Sequence, residues 1–83
     1  MSSESELFIG YADGASRRTW RLASAAWVIF TPQGQLFSFG GICLGDTTNN
    51  VAEYSAVIEL LRDALSLGIY RLRVYLDAQL VVS

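Results

Sequence analysis

One helical repeat governs what this chain can build. In NNVAEYSAVIELLRDAL, Asn49 to Leu65, apolar residues recur at helical spacing. At about 100° per residue, Ala56, Val57, Leu60, Ala64 and Leu67 fall within roughly 60° of Glu53. Ser55, Glu59, Arg62 and Ser66 fall on the opposite side. Glu53 thus stands in the middle of the face expected to turn inward, where a carboxylate needs a reason. The lead-in, Asp46-Thr47-Thr48-Asn49-Asn50, is rich in helix-starting side chains. Asn50 and Glu53 have the spacing of a capping box, and Glu53 is expected in the first turn. The helix is expected to end near Leu67, with Gly68 suited to the residue just past it.

The segments around the helix read as strands. LFIGYAD (7–13) is apolar and aromatic and is expected to close on an Asp13-Gly14 turn. SAAWVIF (24–30) and QLFSFGGICLG (35–45) are joined by Thr31-Pro32-Gln33-Gly34, a turn with Pro32 presetting φ. These two form a hairpin, and a link from Ala15 to Ala23 precedes them. After the helix, YRLRVYLD (70–77) alternates Leu72, Val74 and Leu76 against Arg73, Tyr75 and Asp77. AQLVVS (78–83) reads as the first turn of another helix. Residues 1–6 are a polar lead, so the folded part is 7–83.

The order is β-β-β-α-β, an α/β chain with a mixed sheet. An antiparallel meander of the first three strands leaves the first as a free edge. The fourth can dock there in parallel through a right-handed crossover. The C-terminal ends of the first and fourth strands, Asp13 and Asp77, would then lie side by side. Neighbouring strands are ~4.8 Å apart, within reach of one bridging cation. Ligands bind at that end of the strands in open α/β sheets.

Composition removes several function classes. The chain is 52% hydrophobic with a formal net charge of −2, which argues against disorder. A lone cysteine, Cys43, forbids an internal disulfide, and the absence of histidine forbids a His/Cys zinc set. No apolar run approaches the ~18 residues of a membrane span, and MSSESEL is unlike a signal peptide, so an intracellular location is expected. Every basic residue is arginine, and the pI near 4.8 is a poor electrostatic footprint for phosphate binding. Arg17, Arg18 and Arg21 nonetheless cluster, either as a solvated loop or as a phosphate contact. Trp27, Phe30, Phe37, Phe39 and Tyr54 are expected to fill the core or the sheet faces, and Cys43 to be a small buried hydrophobe.

Glu53, Asp13 and Asp77 converge in this topology. Each has an ordinary role by itself: a turn residue, a helix-dipole acid, an N-cap. Together, three carboxylates repel and raise one another's pKa, and a hard divalent cation relieves that. Oxygen ligands without nitrogen or sulfur favour Mg²⁺ or Mn²⁺ over zinc.

With those residues in view, the chain resembles the ribonuclease H type 1 family from Phe8 to Ser83. The likeness rests on YADGAS (11–16), TTNNVAEYSAVIELL (47–61) and VYLDAQLVV (74–82), in that order. It is similar to the form in plant retroelement polyproteins and in stand-alone bacterial and plant domains. The resemblance implies a ribonuclease H-like mixed sheet and hydrolysis of the RNA strand of RNA–DNA hybrids by a two-metal mechanism. It implies Asp13, Glu53 and Asp77 as catalytic metal ligands for Mg²⁺ or Mn²⁺. It also implies Thr47, Thr48, Asn49 and Asn50 as the grip on the hybrid minor groove, and Gly14, Ala15 and Ser16 as sensors of 2′-hydroxyls.

Three departures qualify the likeness. The link between the first two strands, Arg17-Arg18-Thr19-Trp20-Arg21-Leu22, replaces a small Gly/Pro/Asn-rich turn. Ala78 stands where the family has serine. The sequence reaches Ser83 without the family's fourth acidic residue, further strand and C-terminal helices. The expectation is therefore a partial domain with little or no hydrolase activity in isolation. An open sheet face would serve an oligomer or a complementing chain. The alternative is a non-catalytic nucleic-acid-binding or oligomerisation module on the same fold.

Overall fold

In the computed structural model, residues 6–17 and 22–76 are described. They form β1 (Phe8–Arg17), β2 (Leu22–Phe30), β3 (Leu36–Gly45), α1 (Asn49–Ser66) and β4 (Leu72–Leu76). The sheet order is β3-β2-β1-β4. β1–β2 and β2–β3 are antiparallel, and β4 lies parallel to β1 with Phe8 opposite Leu72 and Ala12 opposite Leu76. This is the topology expected from the β-β-β-α-β order.

The hairpin turn forms as its residues demand. Gly34 takes φ 88°, its amide donates to the Thr31 carbonyl at 2.9 Å, and the Gln35 amide reaches Thr31 Oγ1 at 3.1 Å. At the other end of β2 the outcome differs. Asp13-Gly14 makes no turn. β1 continues to Arg17, pairing Asp13 with Ala26, Gly14 with Ala25 and Arg17 with Leu22. A paired ladder satisfies backbone donors and acceptors through this stretch and overrides local turn preference. Most of the expected link from Ala15 to Ala23 is therefore strand. Residues 18–21, which include Arg18, Trp20 and Arg21, lie outside the described residues, as do Asp77 and the expected helix start at 78–83.

Thr48 caps α1, not Asn50. Thr48 is extended, and its side chain accepts the Val51 amide at 3.2 Å. Asn50 is already helical, and Glu53 falls in the second turn. The C-terminal end matches expectation: Leu67 is the C-cap, and Gly68 takes φ 73°.

The helix packs on β1 and β2 through small residues. Ala12, Ala25, Ile29, Ala56, Leu60 and Ala64 make the core, with Trp27, Leu72 and Val74 packed around it. A Cβ at Gly10 would meet Leu60 Cδ1 at 3.0 Å, so this strand must stay small beneath the helix. The buried stripe of α1 is Ala52, Ala56, Leu60 and Ala64. Glu53 falls within that stripe, about 40° from its centre, and is half-buried.

The opposite sheet face is open among the described residues. There the Tyr11 ring stacks on Tyr75 at 5.3 Å and meets Phe30 edge-on at 6.0 Å. Tyr11, Ala26, Trp27 and Val28 line a hollow of about 130 Å³. Phe39 is 69% exposed, and Phe37 is exposed as well, so these aromatics lie on faces and edges instead of in a core. Tyr54 projects from the outer side of α1, and Cys43 is exposed, contrary to the buried positions expected. Cys43 pairs with Ser24 on the uncovered end of the sheet, where no helix reaches it. No helix among the described residues is long and apolar enough to cross a membrane.

Candidate active site

Alternation along β1 separates its residues into two sets. Gly10, Ala12 and Gly14 turn toward α1, and Tyr11 and Asp13 turn the other way. Gly14 is the point of closest approach between strand and helix. A Cβ there would run into the Ala52 carbonyl and the Glu53 amide, both backbone atoms that cannot swing aside. Only glycine lets the second helical turn press against the strand at this place. The approach puts the backbone of Asp13-Gly14 against that of Ala52-Glu53, and so brings the two candidate acids to one end of the sheet.

The two acids differ in setting. Asp13 is 2% exposed, on an inner strand flanked by β2 and β4. Glu53 is half-buried, and among the described residues it has no hydrogen-bond or ion-pair partner. Asp77 lies outside the described residues. The β1–β4 register is described as far as Ala12 opposite Leu76, one position before Asp13 and Asp77 in the chain. Among the described residues no group of three His, Cys, Asp or Glu side chains gathers.

The segment from Thr47 to Asn50 leads into the same helix end. Thr47 is half-buried; Thr48 and Asn50 are exposed. The Ala52 amide is engaged by the Thr48 carbonyl at 3.0 Å, which together with the Thr48 side chain fixes the cap. Asn49 opens the helix. On β1, Ala15 pairs with Ser24 and Ser16 with Ala23, so both belong to the strand that leaves the site. Arg17 ends that strand, whereas Arg18 and Arg21 lie outside the described residues.

The donors present suit a hard cation. A buried carboxylate on β1 and a half-buried one on α1 offer only oxygen, and the chain contains no histidine.

Sequence reasoning passed over one carboxylate. Asp63 Oδ2 accepts from Trp27 Nε1 at 3.1 Å and from Ser38 Oγ at 2.6 Å, joining the far end of α1 to β2 and β3. Its signal was available. Asp63 and Glu53 lie about equally far, on opposite sides, from the centre of the Ala52–Ala64 stripe. A second acid within a buried face calls for a partner just as the first does.

Comparison with known proteins gives a consistent result. A family model described as reverse transcriptase-like matches residues 11–83. The chain is 39% identical over 71 residues to a ribonuclease HI of Halobacterium salinarum, covering 86% of this chain and 36% of that protein. The crystal structure of RNase H1 from the same archaeon superposes with a TM-score of 0.79 at 36% identity, covering 89% of this chain and 56% of that one. The N-terminal RNase H domain of a Mycobacterium tuberculosis protein gives 0.80 at 35% identity, covering 94% and 57%. An RNase H1 solved in complex with an RNA/DNA hybrid gives 0.77 at 33% identity, covering 90% and 57%. The chain thus spans roughly a third to somewhat over half of the relatives it matches.

Proposed function

This chain belongs to the reverse transcriptase-like family with the ribonuclease H fold, and from that premise we propose that it carries part of a nuclease site cutting the RNA strand of RNA–DNA hybrids. The observation that carries the reading is the Gly14 contact. It supports a site where Asp13 and Glu53 serve together from β1 and α1. Continuation of the described register past Ala12 and Leu76 would add Asp77 from the parallel neighbour.

In this reading Asp13, Glu53 and Asp77 hold Mg²⁺ or Mn²⁺. When bound, such ions supply Lewis acidity for an in-line phosphoryl displacement. The chain's own contribution is placement. Gly14 fixes the helix against the strand, and the Thr48 cap holds the helix start in register. Thr47, Thr48, Asn49 and Asn50 present short polar groups and helix-terminal amides to the minor groove of the hybrid. Backbone and side chains at Gly14, Ala15 and Ser16 sense 2′-hydroxyls, and Arg17, Arg18 and Arg21 meet phosphate. Support for the substrate class comes from the relative solved with an RNA/DNA hybrid.

The test is binding and cleavage with a labelled hybrid and a DNA duplex of the same sequence. The reading expects tighter binding of the hybrid, weakened in Asn50→Ala, and at most weak Mn²⁺-dependent RNA-strand cutting, which Asp13→Asn abolishes. Equal affinity for both duplexes with no effect of Asn50→Ala contradicts it. A second reading, a non-catalytic module that takes up a protein partner, rests on the open face around Tyr11, Tyr75 and Phe39. Binding of the hybrid no tighter than of the DNA duplex, with no stabilisation by Mn²⁺, would favour it.

A further inference from the structure

Two strands end this sheet, and they are built differently. β4 is five residues long, contains Arg73 and follows Arg71. β3 is ten residues long, LFSFGGICLG, with neither a charge nor a proline. Natural edge strands are usually short, charged, bulged or covered, because a bare edge presents unpaired backbone groups to any other strand. The β3 edge has register shifts near both ends, at Phe37 and Leu44, but the stretch between them, Ser38 to Cys43, pairs regularly and carries no charge. Among the described residues nothing but β2 pairs with it, and the helix lies over β1 and β2 and scarcely reaches it. Leu36, Phe37, Phe39, Gly41 and Cys43 are all exposed along it.

We propose that β3 is a self-association edge, pairing antiparallel with β3 of a second copy across a two-fold axis. The occupant follows from charge and symmetry. An antiparallel strand pair is self-complementary under two-fold symmetry, so one edge supplies both halves of the interface. A strand without charges brings no like-charge pairs across the seam when it meets itself, although the whole chain carries −2. Two sheets joined this way form one continuous sheet with both helices on the same side. The regular stretch from Ser38 to Cys43 makes a small interface by the standard of specific complexes, so association no tighter than roughly the micromolar range follows. This edge, which borders the open face at Phe39, lies away from the Asp13–Glu53 end, and the proposal does not depend on nuclease activity.

Sedimentation from micromolar to near-millimolar chain, under reducing conditions to exclude Cys43 disulfides, tests it. Mass should rise from monomer to dimer and stop there. Phe39→Lys, exposed on β3, should weaken dimerisation about tenfold or more, whereas Tyr75→Lys, on the same sheet face but on β4 at the far edge, should leave it intact. Hydrogen exchange on the unaltered chain should show β3 amides that do not bond β2 becoming protected as concentration rises. A monomer at every concentration overturns the proposal. So does a dimer lost in Tyr75→Lys but kept in Phe39→Lys, unlimited growth beyond the dimer, or β3 amides whose exchange is independent of concentration.

Discussion

The two ends of α1 carry the same kind of group in opposite circumstances. At one end Glu53 leans toward the sheet with no protein partner among the described residues; at the other Asp63 is held by an indole and a hydroxyl. Asp63 has its donors supplied by the fold and so secures packing. Glu53 has no such donors among the described residues, and its backbone packs against Gly14, next to the buried Asp13. An inward carboxylate that the protein satisfies is architecture, and one that it leaves unsatisfied near a second acid is a candidate ligand.

Substitutions can break this contrast, beginning with the largest effect. Gly14→Val should disrupt the end that brings Asp13 and Glu53 together. Its side chain meets backbone of Ala52 and Glu53, and a loss of ~3 kcal/mol or outright misfolding is expected in urea titration. Asp63→Ala should cost ~2 kcal/mol, because the Trp27 and Ser38 donors lose their acceptor. Trp27 emission reports that change directly, and Ser38→Ala in the Asp63→Ala background should cost far less than in the parent. Thr48→Ala should cost ~1 kcal/mol, and Thr48→Asp should restore most of it in thermal melts. Glu53→Gln should alter stability by less than ~0.5 kcal/mol without metal, since no protein contact is lost.

The fold was largely legible because strand order and crossover rules leave few arrangements for β-β-β-α-β. What escaped was decided by pairing and not by local preference. Asp13-Gly14 looks like a turn, yet the β2 partner carries the ladder on to Arg17. Asn50 has capping-box spacing, yet Thr48 is the residue in extended conformation with an oxygen in reach of Val51. Cys43 and Phe39 look like core residues because they are apolar. The helix covers only β1 and β2, and no periodicity reveals how far a helix reaches across a sheet. At the site, the structure brings the backbone of Ala52 and Glu53 against Gly14, the residue after Asp13. The cause of that approach, a glycine that no side chain can replace, was visible only in three dimensions.

Manganese titration of stability in the parent chain, Glu53→Gln and Asp63→Asn tests the central contrast most directly. The account predicts that metal at about a hundred times its dissociation constant stabilises the parent by ~2.7 kcal/mol. That increment should vanish in Glu53→Gln and persist in Asp63→Asn, even though Asp63→Asn alone lowers the starting stability. An increment that survives in Glu53→Gln and disappears in Asp63→Asn would contradict it.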